Sequence, residues 1–222
     1  MTHDRKTTAD CCKLVLIRHE HTDKAGTFCG HLDPPLDPHG RTQLKQLAAD
    51  LGRYPLTAVY SSDLRRAQET AAAIAVPRHL PIRLRADLRE LAFGEWEGLS
   101  WKQVVARDPA FAQRWLEEYP SLAALGGEEF THFLTRVQQA ISDIADEIHD
   151  GYAAVVTHGG VIRTILASVT LECTKPIDLS ACSHGSWWEI WRQNGRWTLR
   201  QRSVQSGLTE HEVNGTELGC TA

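Results

Sequence analysis

The sequence predicts an α/β fold: a three-layer α/β/α sandwich with a mostly parallel central sheet, a helical cap insertion and a C-terminal β-hairpin. Short apolar runs alternate along the chain with segments whose apolar residues have helical spacing. Such alternation favours a parallel sheet that helices cover on both faces. An Asn-Gly pair at 194–195 separates two alternating runs, which is the strongest local indication of a hairpin.

Each element is predicted from a local pattern. Apolar runs predict strands at 13–17, 56–60, 80–84 and 153–156. Helical spacing and helix-start residues predict helices at 40–51, after a Ser/Asp start at 61–63, from 126–129 to near 151, and at 161–169. Between 98 and 127, Pro109 divides the pattern, so two short helices are predicted over the site.

Length and composition are typical of one soluble domain, with 222 residues of which 42% are hydrophobic. We expect this domain at 13–203, with the cap insertion at 98–127 and flexible tails at 1–12 and 204–222. The first twelve residues lack the apolar core of an export signal, so a cytoplasmic location is expected. Six cysteines without a Cys-x-x-Cys pattern predict reduced thiols.

Charge and hydropathy exclude two kinds of partner. A net charge of -4 gives no basic footprint for nucleic acid. No stretch approaches the roughly 20 apolar residues that a membrane helix needs. The sequence does not fix the oligomeric state, so a homodimer stays open.

The most informative segment is Arg18-His19, which follows an apolar run. At the carboxyl end of a strand, an imidazole can face a crevice with a guanidinium fixed beside it. Neutral imidazole is a nucleophile and the guanidinium is a permanent cation, so the pair suits attack on an anionic phosphorus centre. Two solvated residues at a strand end are the alternative interpretation.

Two further segments strengthen the phosphorus hypothesis. Arg66 lies near a predicted helix start, where backbone N–H groups and the dipole also favour anions. His158 ends another apolar run, and the glycines after it allow close backbone approach. Two strand-end histidines meet in one crevice if their strands are neighbours. For Arg66, an exposed arginine pair with Arg65 is the alternative.

Four strings stand in order along the chain. They are Arg-His at 18–19, Ser-Ser-Asp-Leu-Arg-Arg-Ala-Gln-Glu-Thr-Ala at 61–71, Leu-Arg-Glu-Leu-Ala-Phe-Gly-Glu-Trp-Glu-Gly at 88–98, and Thr-His-Gly-Gly-Val-Ile-Arg at 157–163. Together they make residues 13–203 resemble the histidine phosphatase superfamily, also called the phosphoglycerate mutase-like family.

The resemblance implies phosphate-ester chemistry through phosphohistidine. It implies His19 as the phosphorylated nucleophile, Glu90 as the proton donor, and Arg18, Arg66 and His158 as the phosphate clamp. The clamp, with His158 protonated, can hold the charge that spreads over the equatorial oxygens in the transition state. A protonated Glu90 can supply the leaving alkoxide with its proton. No metal or cofactor is expected, because cationic side chains replace a metal ion in neutralising the phosphate charge.

The loop after the first histidine resembles the family's phosphate loop. Thr22 keeps the usual hydroxyl, and Cys29 and Gly30 are expected to present backbone donors to phosphate. Gly159 is assigned to phosphate binding as well. Glu20 stands where the family carries glycine, and we expect its carboxylate to point away from the phosphate. Glu95 and Glu97 are interpreted as solvated or entrance carboxylates.

A metal site is a competing interpretation of the histidine-rich sequence. Its ligands would come from His19, His21, His31, His39 and His158. These histidines lack nearby Cys or Asp ligands at zinc-site spacing, so we expect no metal.

The first functional hypothesis is a metal-independent hydrolase of a small phosphorylated metabolite. Residues 127–137 look like those of α-ribazole phosphatases, which makes α-ribazole 5′-phosphate one candidate substrate, although neighbouring phosphatases share this segment. A cofactor-dependent phosphoglycerate mutase is the first alternative, disfavoured by the short segment between Glu90 and His158. A non-catalytic phospho-ligand binding module is the second, disfavoured because the complete residue set is present.

Overall fold

The computed structural model describes residues 11–148, 151–170 and 182–202. Over these ranges the chain forms the predicted α/β sandwich around a six-stranded, mostly parallel sheet. The predicted C-terminal tail at 204–222, and all but two residues of the predicted N-terminal tail, lie outside the described residues.

The described part of the sheet is mixed. Its strands are β1 (Cys11–Arg18), β2 (Leu56–Ser62), β3 (Ile82–Arg85), β4 (Gly151–Thr157), β5 (Trp187–Gln193) and β6 (Arg196–Arg202). They lie in the order β3-β2-β4-β1-β5-β6, and the first four are parallel. The antiparallel pair β5-β6 is the predicted hairpin, with Asn194 and Gly195 at positive φ, as a tight hairpin turn requires.

Helices cover both faces of the sheet. The described helices are α1 (Pro38–Asp50), α2 (Arg65–Ala75), α3 (Trp101–Arg107), α4 (Pro109–Glu118), α5 (Phe130–Ile148) and α6 (Gly159–Thr170). Leu14 and Leu16 of β1 lie in the core that includes α5 and α6, whereas Val15 and Ile17 lie in the core that includes α1 and α2. Because side chains alternate along a strand, one apolar run fills both cores.

The first strand begins two residues earlier than predicted. Cys11 pairs with Gln193 of β5, and Cys12 pairs with Gly151 of β4, so neither belongs to a tail. Cys11, Cys12, Cys29 and Cys182 are free thiols. No helix in the described ranges is long and apolar enough to cross a membrane.

The start of α2 differs from the predicted Ser/Asp cap. Leu64 holds the capping position and makes no side-chain cap. Asp33, in the loop before α1, accepts a hydrogen bond from the backbone N of Arg65 at 2.5 Å instead. Asp63 pairs with the guanidinium of Arg89 at 2.6 and 2.7 Å. A distant carboxylate therefore supplies the negative group that the helix start favours.

The cap insertion contains two short helices, α3 and α4, divided at Asp108 and Pro109. Asp108 accepts from the backbone N of Phe111 at 2.9 Å, which caps α4. Aromatic side chains of the insertion pack into the core: the ring centroid of Trp115 is 5.1 Å from that of Trp96. None of residues 98–127 lines the pocket described below, so the insertion here builds core rather than pocket wall.

Candidate active site

The parallel pairing of β1 with β4 brings two histidines to one edge of the sheet. Arg18 and Thr157 are partners in this register, so His19 and His158 each follow a strand end. The backbone N of His19 donates to the carbonyl of Thr157 at 3.0 Å, and the two imidazole centroids are 5.1 Å apart. The two strand-end histidines therefore meet, as the sequence pattern predicts.

His19 is buried and has a defined tautomer. Its Nδ1 lies 2.7 Å from the carbonyl oxygen of Glu20, which can only accept, so Nδ1 carries the proton. Nε2 accepts a hydrogen bond from Nε of Arg66 at 3.1 Å. Burial, with a contribution from the positive charge of Arg66, holds the pKa of His19 well below its usual range. The lone pair of a neutral, nucleophilic ring is thus at Nε2.

Arg66 is a buried cation in the first turn of α2, with 1% of its surface exposed. It donates to the carbonyl of Leu32 at 2.6 Å and to that of Gly30 at 2.8 Å. Burial lowers its pKa, but a guanidinium remains protonated at neutral pH. The loop at 29–32 is therefore wrapped around a positive charge.

Arg18 is the second cation of the site. Its NH1 donates to the carbonyl of Cys182, and its NH2 lies 3.3 Å from Nε2 of His184. Its Nε, like Nδ1 of His158, is buried without a hydrogen-bond partner in the part of the chain that is described. Unpaired buried polar atoms are rare and call for an explanation. The oxygens of a phosphate ester would satisfy a donor in this position.

His158 is uncharged in the structure. Burial, followed by the charges of Arg66 and Arg18, holds its pKa well below the usual range. Nε2 of the ring lies 2.9 Å from Oγ of Ser62. Burial and the two arginines thus oppose a third positive charge at His158, whereas the expected phosphate clamp needs this ring protonated. A phosphate dianion beside the ring would act in the opposite direction and raise this pKa.

Glu90 reaches the same edge from the loop after β3. Its Oε1 accepts from the backbone N of Leu91 at 3.0 Å, and its Oε2 accepts from the backbone N of Gly160 at 2.8 Å. A Cβ atom at Gly160 would lie 2.2 Å from Oε1, so the second glycine after His158 makes room for this carboxyl group.

Seven of the nine predicted site residues line one pocket at this edge. They are Arg18, His19, Thr22, Cys29, Gly30, Arg66 and Glu90. The other two do not line the pocket but adjoin residues that do. The ring of His158 contacts that of His19, and a Cβ atom at Gly159 would lie 3.3 Å from Cζ of Arg18. Gly30 is expected to present a backbone donor, and the contact seen in the structure is made by its carbonyl, which accepts a hydrogen bond from Arg66.

Two carboxylates near the pocket have different surroundings. Glu95 is exposed, in line with its interpretation as solvated. Glu97 is half-buried, and its Oε1 accepts from the backbone N of His31 at 2.7 Å and of Phe93 at 3.2 Å. Glu97 is therefore not a freely solvated carboxylate, because it joins the loop at 29–32 to the Glu90 loop.

Sequence reasoning missed His184, which lines the pocket with its ring centroid 5.3 Å from that of His19. Burial, with a contribution from Arg18, lowers its pKa to about 3, so the ring is neutral and can accept from Arg18. The sheet topology explains why His184 reaches the site. Because β5 is antiparallel to β1, it starts at the edge where β1 ends, and His184 lies just before β5.

Glu20 is buried and does not line the pocket. Its carboxylate packs against Gly185, where a Cβ atom would lie 2.2 Å from Oε1. Burial raises the pKa of Glu20 to about 7, more than the hydrogen bond from the backbone of His21 lowers it. The carboxylate thus points away from the pocket.

The other histidines do not form a metal cluster in the described ranges, where no three His, Cys, Asp or Glu side chains are placed to hold one. Nδ1 of His21 lies 2.6 Å from Asp37, and Nε2 of His31 lies 3.0 Å from the carbonyl of Glu90.

A buried, neutral histidine beside two arginines, at the carboxyl ends of parallel strands, is an arrangement suited to binding phosphate esters. The chain belongs to the histidine phosphatase superfamily (branch 1), whose sequence profile matches residues 14–205.

Relatives within this superfamily carry several names. The chain is 33% identical to the metal-independent phosphoserine phosphatase of Arabidopsis thaliana, over 76% of this chain and 73% of that protein. It is 31% identical to the adenosylcobalamin/alpha-ribazole phosphatase of Escherichia coli K12, over 70% of this chain and 77% of that protein. A phosphoglycerate mutase structure from Bacillus anthracis aligns with a TM-score of 0.73 and 26% identity, covering 88% of this chain and 94% of the other.

We expect Glu20→Gln to stabilise the protein above neutral pH. Because burial raises the pKa of Glu20 from 4.5 to about 7, the folded protein binds this proton more tightly than the unfolded chain does. Stability therefore falls as pH rises across that window. An uncharged amide removes this loss of stability. The melting temperature of the variant minus that of wild type should therefore increase by about 2 °C or more from pH 5 to pH 8.

Thermal denaturation across this pH range measures the effect. Glu95→Gln, at an exposed position, is the control and should track wild type. A difference between Glu20→Gln and wild type that is constant with pH would contradict the assignment of a protonated, buried carboxyl.

Proposed function

We propose that this chain hydrolyses small phosphomonoesters without a metal ion, through a phosphohistidine on His19. The observation that carries the proposal is the buried, neutral His19, whose Nε2 faces Arg66 in a pocket that also holds Arg18 and Glu90. This arrangement supports His19 as the nucleophile, the two arginines as the cations and Glu90 as the acid of one reaction.

In the first step, Nε2 of His19 attacks phosphorus and the bond from phosphorus to the ester oxygen breaks. Arg18 and Arg66 stabilise the charge on the equatorial oxygens. Protonated Glu90 gives its proton to the leaving alkoxide, which departs as an alcohol. The hydrogen bond from Nδ1 to the carbonyl of Glu20 holds the ring in orientation while Nε2 is occupied.

In the second step, water attacks phosphorus and the bond from phosphorus to Nε2 breaks. The Glu90 carboxylate, now the base, takes a proton from that water, which restores both catalytic groups. Inorganic phosphate leaves the clamp. The clamp also includes His158, which can donate to a phosphate oxygen as that anion raises its pKa. We assign Thr22, Cys29, Gly30 and Gly159 to positioning around the bound phosphate.

We base a proposal for the substrate class on Lys24, a cation at the exposed edge of the pocket and separate from the arginine clamp. Lys24 is exposed and lines the pocket. Its backbone is fixed, because its N donates to Oγ1 of Thr22 at 3.3 Å and its carbonyl accepts from Oγ1 of Thr27 at 2.7 Å. A cation in this place favours a phosphomonoester with a second anionic group, such as phosphoserine, over α-ribazole 5′-phosphate, which offers none.

The first prediction from this proposal concerns His19. His19→Ala should abolish phosphoenzyme formation and hydrolysis while the fold is kept, because the side chain lies at a strand end. Single-turnover labelling should give an acid-labile phosphohistidine in wild type, in the presence of a chelator, and none in the variant. Near-native hydrolysis by His19→Ala would overturn the proposal. Wild type that binds phosphate esters and is never labelled would identify a binding module, and phosphoglycerate isomerisation would identify a mutase.

The second prediction concerns Glu90. Glu90→Gln should slow hydrolysis of alkyl phosphates by about 10²-fold or more, because the amide cannot protonate the leaving alkoxide. Hydrolysis of p-nitrophenyl phosphate should change far less, since that leaving group departs as a stable anion. Pre-steady-state rates of phosphoryl transfer to His19 with both substrates decide it. Equal losses on both substrates would remove Glu90 from the acid role.

The third prediction concerns Lys24. Lys24→Met should raise KM for phosphoserine by about fivefold, which corresponds to the upper end of about 1 kcal/mol for an exposed charge pair, and should leave KM for α-ribazole 5′-phosphate unchanged. Lys45→Met removes an exposed lysine on α1 and serves as the control. A wild-type preference for α-ribazole 5′-phosphate that Lys24→Met does not alter would refute the second-anion proposal.

A further inference from the structure

Every N–H group of the Arg136 guanidinium donates a hydrogen bond, and the proposed reaction gives this residue no role. Nε donates to Oε1 of Glu128 at 2.7 Å, and NH2 donates to Oε2 of the same carboxylate at 2.8 Å. The remaining donors bind three backbone carbonyls: NH1 those of Asp87 at 2.9 Å and Arg89 at 2.7 Å, and NH2 that of Glu90 at 2.9 Å. A guanidinium has five N–H donors, and all five are engaged.

Two of these carbonyls, those of Arg89 and Glu90, belong to the irregular segment that carries the proposed acid, and that of Asp87 lies in the short 3-10 helix just before it. Residues 89–93 are neither helix nor strand, so no regular hydrogen-bond ladder fixes Glu90. Arg136 lies on α5, a 19-residue helix packed on the sheet. The far side of the segment is fixed as well, because the backbone N of Glu128 donates to the carbonyl of Ala92 at 2.9 Å. The Arg136–Glu128 pair thus joins a segment without regular secondary structure to a long helix.

We propose that Arg136 is a positioning residue for the proton donor, and that Glu128 orients Arg136 for this task. The inference rests on the proposed function of Glu90. The planar fork of the guanidinium sets the direction of the Glu90 peptide, and that peptide sets where the carboxyl group meets the leaving oxygen. The ion pair is largely sheltered, with 21% and 17% of the two side chains exposed, so its geometry is little weakened by solvent.

Replacement of the fork by an ammonium tests this role. Arg136→Lys keeps the charge but offers three donors for five acceptor contacts, so it cannot hold the three carbonyls and Glu128 together. We expect phosphoryl transfer from an alkyl phosphate to slow by about tenfold or more, and transfer from p-nitrophenyl phosphate by less than about threefold. A residue that served stability alone would slow both substrates equally.

Two further variants keep the test decisive. Glu128→Gln retains the arginine and removes the charge of its partner, so it should shift the alkyl-to-aryl ratio in the same direction by a smaller factor. Arg192→Met is the matched control: the Arg192 side chain is 22% exposed and pairs with Asp146 of α5, and no described contact joins it to residues 87–93. Arg192→Met should lower the melting temperature and leave the ratio unchanged.

The outcomes separate this inference from the proposed function. If wild type forms phosphohistidine and the ratio is unchanged in both Arg136→Lys and Glu128→Gln, the positioning role is refuted and the proposed function stands. If Arg136→Lys does not fold, the ratio in Glu128→Gln decides alone. If wild type forms no phosphohistidine, both the proposed function and this inference are overturned.

Discussion

The site depends on two guanidinium groups placed at the carboxyl edge of the β1-β4 pair. A sheltered cation without acceptors is strongly unfavourable, so the surrounding backbone must supply carbonyls. Arg66 takes those of Gly30 and Leu32, and Arg18 takes that of Cys182. These bonds draw the loop after β1 and the segment before β5 to the same edge. The shape of the pocket therefore follows from where two positive charges find their acceptors.

Burial, together with the same charges, lowers the pKa of the two histidines beside them. The proposed attack on phosphorus requires a neutral His19, and the burial and positive field that lower its pKa favour that neutral form. His158 experiences that field too and is neutral in the structure, although a phosphate clamp gains from a charged donor. In the proposed reaction, the charge of a bound phosphate dianion would oppose that of the arginines and raise the pKa of His158.

Features that depend on local backbone could be predicted from the sequence. The strands, the helices, the hairpin at Asn194 and the meeting of the strand-end histidines follow from periodicity and turn residues. Contacts between distant segments could not be predicted. Asp33 caps α2 from another loop, Glu97 binds two backbone N–H groups in separate loops, and His184 enters the site because β5 is antiparallel to β1. In each case the decisive partner is remote in sequence and leaves no local pattern.

The two proposed catalytic groups differ in how the fold holds them. His19 follows a central strand, where ladder hydrogen bonds fix the backbone on both sides. Glu90 stands on an irregular segment, so its position must be fixed by side chains instead. Arg136 and His31 both contact the carbonyl of Glu90, and the backbone N of Gly160 holds its carboxyl group. A nucleophile must meet phosphorus at one point, whereas a proton donor must follow leaving groups of different shape. The sheet fixes the nucleophile, whereas side chains fix the proton donor. Substitution of those side chains can therefore change which substrate a fold of this kind accepts without altering the position of the nucleophile.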